Sequence, residues 1–169
     1  VEYGQKATQP ENPTREGYTF KGWYSGEEAY DFNSVMKKDV VLIAQWEINS
    51  YTITFDSNGG SSVEEATYNY GAVLTEPSRP TKEGYTFDGW DKDIPSTMPA
   101  ENMTIKAKWK VNQYTVTYKY NGDVPSGASD LPEAKNYDYG ASVTVADDAT
   151  AAGYTFSGWT NTATGNSVT

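Results

Sequence analysis

Two pairs of adjacent carboxylates, Glu64-Glu65 and Asp147-Asp148, are the first side chains in this sequence that could do chemistry. Carboxylate pairs cleave glycosidic bonds when both are fixed across a cleft, one as acid and one as nucleophile or base. Neighbouring residues on a strand point to opposite faces, so neither pair can close on one substrate. Both read as solvated surface. Asp56-Ser57-Asn58-Gly59 and Asn121-Gly122-Asp123 look like pieces of a calcium loop. Such a loop alternates oxygen ligands over about twelve positions and closes with a bidentate Glu. That spacing is absent, and both segments read as turns. The 169 residues include no His and no Cys. The commonest general base, the commonest metal ligand, thiolate zinc sites and disulfides are thereby removed. No spacing singles out the Lys–Asn–acid triad of an isopeptide bond. The chain is expected to be no enzyme, with no catalytic, metal or cofactor-binding residues and no cofactor.

The net charge of −10 would be repelled by the phosphates of nucleic acid, so no nucleic-acid partner is expected. No apolar run is long enough to insert in a membrane. No signal peptide or sorting signal is visible. Tyr and Trp, rather than long aliphatic residues, carry much of the apolar surface.

The elements that must position these residues are repeated. Gly17–Trp23, Gly84–Trp90 and Gly153–Trp159 read GYTFKGW, GYTFDGW and GYTFSGW, at offsets of 67 and 69 residues. Tyr3-Gly4, Tyr70-Gly71 and Tyr139-Gly140 keep the same offsets. YTIT at Tyr51–Thr54 returns as YTVT at Tyr114–Thr117, 63 residues on, as Trp46 returns at Trp109. Three tandem modules follow: residues 1–46, lacking a first strand; 51–109, complete; and 114–169, divergent and lacking a last strand. The segment reads as part of a longer chain.

Within the middle module, Tyr51, Ile53 and Phe55 alternate with polar residues as on a half-buried strand. Asn58-Gly59 supplies a tight hairpin turn. Further strands are expected over Ala66–Leu74, Tyr85–Trp90 and Met103–Trp109, with Val40–Trp46 the counterpart of the last. Pro77 and Pro80 confine Glu76–Glu83 to one helical turn at most. Gly89 permits a bulge. A module of about 60 residues buries only about 60% of its unfolded surface, so aromatics must supply the core. Trp23, Trp90 and Trp159 are placed in it. Tyr24, Tyr68, Tyr118, Tyr120 and Tyr137 are the aromatics left for an exposed binding face. Linkers Glu47–Ser50 and Lys110–Gln113 are equal in length and lack Gly and Pro, which predicts a semi-rigid, elongated rod.

Asn58-Gly59-Gly60, Pro80–Trp90 and Ala107–Trp109, with Pro13–Trp23, Tyr30-Asp31-Phe32 and Ala44–Trp46, form a spaced pattern that resembles the Listeria–Bacteroides repeat, the internalin B-repeat type of module. The third copy lacks the Pro-Thr-[Arg/Lys]-Glu lead and looks like a sister type. The resemblance implies β-grasp-like modules, with first and last strands paired at the sheet centre, in a β-rich α+β fold. It also implies a bacterial cell-surface or secreted location, and carries over no binding residues.

A stalk or spacer attached to neighbouring domains of a parent chain is the functional expectation. An adhesion module contacting host protein or glycan through exposed aromatics is the alternative. The shared motif varies at its polar position (Lys21, Asp88, Ser157), as a spacer allows.

Overall fold

The computed structural model describes residues 1–168. Two compact units form, Val1–Pro80 with Phe87–Lys108, and Thr81–Thr86 with Trp109–Thr169. In the first unit, β1 (Tyr18–Ser25) lies between β2 (Glu28–Ala29) and β3 (Ile43–Ile48), antiparallel to both. A second sheet joins β4 (Ser50–Asp56), β5 (Ala66–Asn69), β6 (Tyr85–Trp90) and β7 (Met103–Val111) in the order β5-β4-β7-β6. Its central pair, β4 and β7, is parallel, from Ile53 opposite Met103 to Asp56 opposite Lys106. In the second unit, β8 (Gln113–Val116) pairs with β9 (Lys135–Asp138), and β10 (Trp159–Thr160) with β11 (Ser167–Val168).

Alternation decides which residues these strands bury. Ile53 and Phe55 on β4 face the core, as do Ile105 and Ala107 on β7, while Thr104, Lys106 and Lys108 are exposed. Ile53, Ile105 and Met98 are essentially sealed, at 1%, 0% and 1% exposure. Each contributes roughly 1.5–3 kcal/mol by burial. Met98 comes from the Pro95–Pro99 loop, pinned by its N–H to the Ala72 carbonyl at 2.8 Å. Tyr51, Tyr68, Leu74 and Trp90 pack around this small centre.

The Gly before each motif Trp sets the aromatic cluster. The pairing of β1 with β3 slips between Phe20 and Gly22, so Lys21 is an extra residue. Residues three apart on a regular strand face opposite sides; one extra residue brings Phe20 and Trp23 to the same side. Their rings meet edge to face at 5.6 Å, Phe87 and Trp90 at 5.2 Å, and Phe156 and Trp159 at 5.1 Å.

Several sequence expectations are corrected. The described residues hold strands and no helix, so the architecture is β-rich and not α+β. The helical turn allowed in Glu76–Glu83 does not form, because a residue before proline is driven from the α region and both Glu76 and Arg79 hold that position. The Asn58-Gly59 turn forms, with φ of 52° and 85° and Gly60 N–H bonded to Ser57 O at 3.1 Å. It is followed by chain outside any strand to residue 65 and so does not close a tight hairpin. β5 stops at Asn69, where the Tyr70-Gly71 turn begins, rather than at Leu74. β3 starts at Ile43, with Val40–Leu42 outside it. Of the two four-residue linkers, only Asn49 and Asn112 stand outside strands.

Candidate functional site

The acidic segments are structural or solvated. Glu64, Glu65, Asp147 and Asp148 are exposed, and Glu65 accepts a long 3.4 Å bond from the Thr54 hydroxyl. Asp56 accepts the Asn58 N–H at 2.8 Å and lies 3.5 Å from Lys106 Nζ. The Asn58 N–H, helped by Lys106, holds its carboxyl below the ordinary aspartate range. Asn58 Nδ2 donates to Ala107 O at 3.1 Å, tying the turn to β7. Asp56–Gly59 is therefore turn chemistry. Among the described residues no group of acidic side chains could hold a metal ion.

The three motif tryptophans expected in the core are buried to different degrees. Trp159 is buried, and its Nε1 donates to Ala146 O at 3.2 Å. Trp23 and Trp90 are half-buried, with their Nε1 atoms sealed from solvent. An open groove of about 400 Å³ runs beside Trp90, between Leu74, Glu76, Lys92 and Ile94. Most tyrosines proposed for an exposed face are engaged. Tyr68 packs on the core opposite Tyr51. Tyr118 lies 4.7 Å from the Trp159 ring and accepts the Ala146 N–H. Tyr120 donates to Ser129 O at 2.5 Å. Tyr137 sits opposite Tyr114, with Lys135 Nζ 5.3 Å over its ring. Tyr24 is half-buried opposite Ala29.

A different constellation recurs within each unit. In the first, Asn49 lies between β3 and β4. Its N–H donates to Gly17 O at 2.9 Å, and its carbonyl accepts the Tyr70 N–H at 2.8 Å. Its Oδ1 accepts the Thr19 hydroxyl at 2.6 Å. The Tyr70 ring lies against Gly17, filling the space a Cβ would occupy. Gly17 is buried and adopts φ +73°, so glycine serves both close approach and backbone. Tyr18 meets Tyr70 edge to face at 6.1 Å, and the Arg15 guanidinium stacks 3.9 Å over Tyr18.

The second unit builds the same arrangement. Asn112 N–H donates to Gly84 O at 2.9 Å, and Tyr139 N–H to Asn112 O at 2.8 Å. Thr86 Oγ1 donates to Asn112 Oδ1 at 2.6 Å. The Tyr139 ring covers Gly84 and lies 6.2 Å from Tyr85, over which Lys82 Nζ stands at 4.6 Å. Glu83 beside Tyr139 raises its phenol above the ordinary range. A short amide suits the centre of this joint, because its backbone and side chain bond two neighbours at once. Sequence reasoning missed the constellation. Its available signal was that Asn is the one residue common to both linkers, Glu47–Ser50 and Lys110–Gln113.

Comparison with known proteins locates these repeats. The sequence model of a family described as the Listeria-Bacteroides repeat domain matches residues 1–45, 51–108 and 114–169. A protein of Evansella cellulosilytica, named only as a membrane protein, is 44% identical over 94% of this chain and 26% of its own length. Internalin H of Listeria monocytogenes is 39% identical over 72% of this chain and 24% of its own. The chain thus spans about a quarter of the length of each of these two relatives. No solved structure matches. Among the described residues no helix is long and apolar enough to cross a membrane.

Proposed function

The chain belongs to the Listeria-Bacteroides repeat family, and we propose that it is a non-catalytic stalk of a bacterial cell-surface protein, whose linkers are ordered rather than flexible. The observation that carries this reading is the joint built twice from the same parts. A flexible tether needs no buried glycine under a tyrosine ring. It also needs no asparagine bonded on both sides, as Asn49 and Asn112 are. Each joint adds hydrogen bonds worth roughly 0.5–1.5 kcal/mol apiece and an aromatic pair of similar worth. Such linkers couple the stabilities of adjacent repeats, as nearest-neighbour terms do in repeat proteins.

The parallel centre of β5-β4-β7-β6 supports a β-grasp-like module. Adhesion through exposed aromatics is the weaker reading, because Tyr68, Tyr118 and Tyr120 are spent on packing or hydrogen bonds. Backbone relaxation by NMR tests the proposal. Asn49 and its neighbours should be as ordered as β4; nanosecond mobility at Asn49 would make the linker a tether and end the stalk reading.

A further inference from the structure

The two Asn-Gly pairs, Asn58-Gly59 and Asn121-Gly122, can each undergo a reaction without any partner molecule but water. The backbone nitrogen that follows an asparagine can attack the side-chain carbonyl carbon. The new C–N bond closes a five-membered imide, the C–Nδ2 bond breaks, and ammonia leaves with the backbone proton. Water then opens the imide at either carbonyl, giving aspartate or isoaspartate. Glycine crowds the attacking nitrogen least, because it has no Cβ. Asparagine counts among the thermolabile residues. The fold treats the two pairs differently. Exposure does not separate them, since both asparagines are exposed. Asn58 is instead tethered: its Nδ2 donates to Ala107 O at 3.1 Å, and its N–H to Asp56 Oδ1 at 2.8 Å. Gly60 N–H closes the same turn on Ser57 O at 3.1 Å. Ring closure at Asn58 must break the bond to Ala107, because Nδ2 is the leaving group and the carbonyl carbon has to swing onto the Gly59 nitrogen. Among the described residues, none hydrogen-bonds to Asn121, Gly122 or Asp123. That stretch lies outside any strand, and a Cβ at Gly122 would meet nothing within 4 Å.

We propose that Asn121-Gly122 is a self-modifying site, converting through the imide to isoaspartate and aspartate, while the folded turn protects Asn58-Gly59. The inference does not depend on the stalk reading. Conversion exchanges a neutral amide for a carboxylate, so the net charge of −10 becomes one unit more negative. Isoaspartate also reroutes the backbone through the side chain and lengthens it by one methylene. The loop around Asn121 has no hydrogen bond to lose by this, whereas the same change at Asn58 would detach the turn from β7. The third repeat therefore gains charge as the molecule ages, at a loop that tolerates it, and the middle repeat keeps its turn. The Nδ2 bond of Asn58 alone is worth about two- to tenfold in rate.

Incubation of the full chain in warm, mildly alkaline buffer, which deprotonates the attacking nitrogen, tests it. Peptide mapping by mass spectrometry, with isoaspartate separated from aspartate, follows both sites in time. Asn121 should convert several-fold faster than Asn58 and give both products. In concentrated urea, with the fold removed, the two sites should convert at like rates. Gly122→Ala should suppress conversion at Asn121 and leave Asn58 as it was. Equal rates at the two sites in the folded chain, or no conversion at Asn121, overturn the proposal. A difference that persists unchanged in urea also overturns it, because local sequence rather than the fold would then set the rates. Aspartate without isoaspartate, or conversion undiminished in Gly122→Ala, would show direct hydrolysis of the amide and overturn the imide route.

Discussion

Gly17→Ala probes the joint at its tightest point. Two costs combine. The backbone at φ +73° penalises any residue with a Cβ, by about 1–2 kcal/mol. The added methyl also overlaps the Tyr70 ring and must expel it, forfeiting an edge-to-face pair worth about 0.5–1.5 kcal/mol. The total is about 1.5–3.5 kcal/mol. Gly71→Ala is the matched control. Its φ is +74° and a Cβ there meets nothing within 4 Å, so only the backbone cost of about 1–2 kcal/mol applies. Urea denaturation followed by resolved amide signals of β1 and β4 gives both values from midpoint shifts at constant slope. The excess of Gly17→Ala over Gly71→Ala should be about 1 kcal/mol and should vanish in a Tyr70→Ala background, as a coupled pair requires. Equal costs for the two glycines in the wild-type background would refute the reasoning, because the ring would then carry no energy at Gly17.

Three further outcomes follow from the structure. Ile105→Ala, at a fully buried position, should cost about 2–5 kcal/mol and selectively melt the β4–β7 sheet; a loss below about 1 kcal/mol in denaturation would contradict the assigned core. The Asp56 carboxyl is held below its unfolded value, so its contribution is present above that value and is lost as pH falls through the folded one. Asp56→Asn should therefore flatten the acid limb of stability measured by circular dichroism, and an unchanged limb would assign the acid sensitivity elsewhere. The Tyr139 phenol is raised by Glu83, so its contribution is present below the unfolded tyrosine value and lost as pH rises through the folded one. In an NMR titration of the ring carbon, Glu83→Gln should bring Tyr139 down toward the other tyrosines; no movement would remove Glu83 as the cause.

Sequence made the strands legible wherever alternation was strong. Ile53, Phe55, Ile105 and Ala107 were placed on the buried face by period alone, and that is where they lie. The recurring Trp marked the aromatic clusters, and Gly89 raised the option of a bulge, which occurs at the matching Lys21-Gly22 of the first repeat. Met98 was not legible, because it sits in a loop between prolines and reaches the core only through the fold of that loop. The joints were not legible either. Gly17 and Tyr70 are far apart in sequence, and nothing local distinguishes a glycine under a ring from one in an open turn. The Glu76–Glu83 helical turn was an allowance that two prolines denied. The aromatic face foreseen for binding was assigned by exclusion, and Tyr118 and Tyr120 turned out to be structural partners of Trp159 and Ser129.

The fixed joint is tested most directly by a distance distribution across it. The sequence has no Cys, so nitroxide labels at Glu27→Cys and Glu64→Cys, both exposed and within the same unit, report on the Asn49 joint alone. Double electron–electron resonance should give one narrow peak, no broader than the labels' own rotamers allow, and Tyr70→Ala should broaden it. A broad distribution in the wild-type chain, unchanged by Tyr70→Ala, would contradict a fixed joint and leave the repeats as beads on a flexible string.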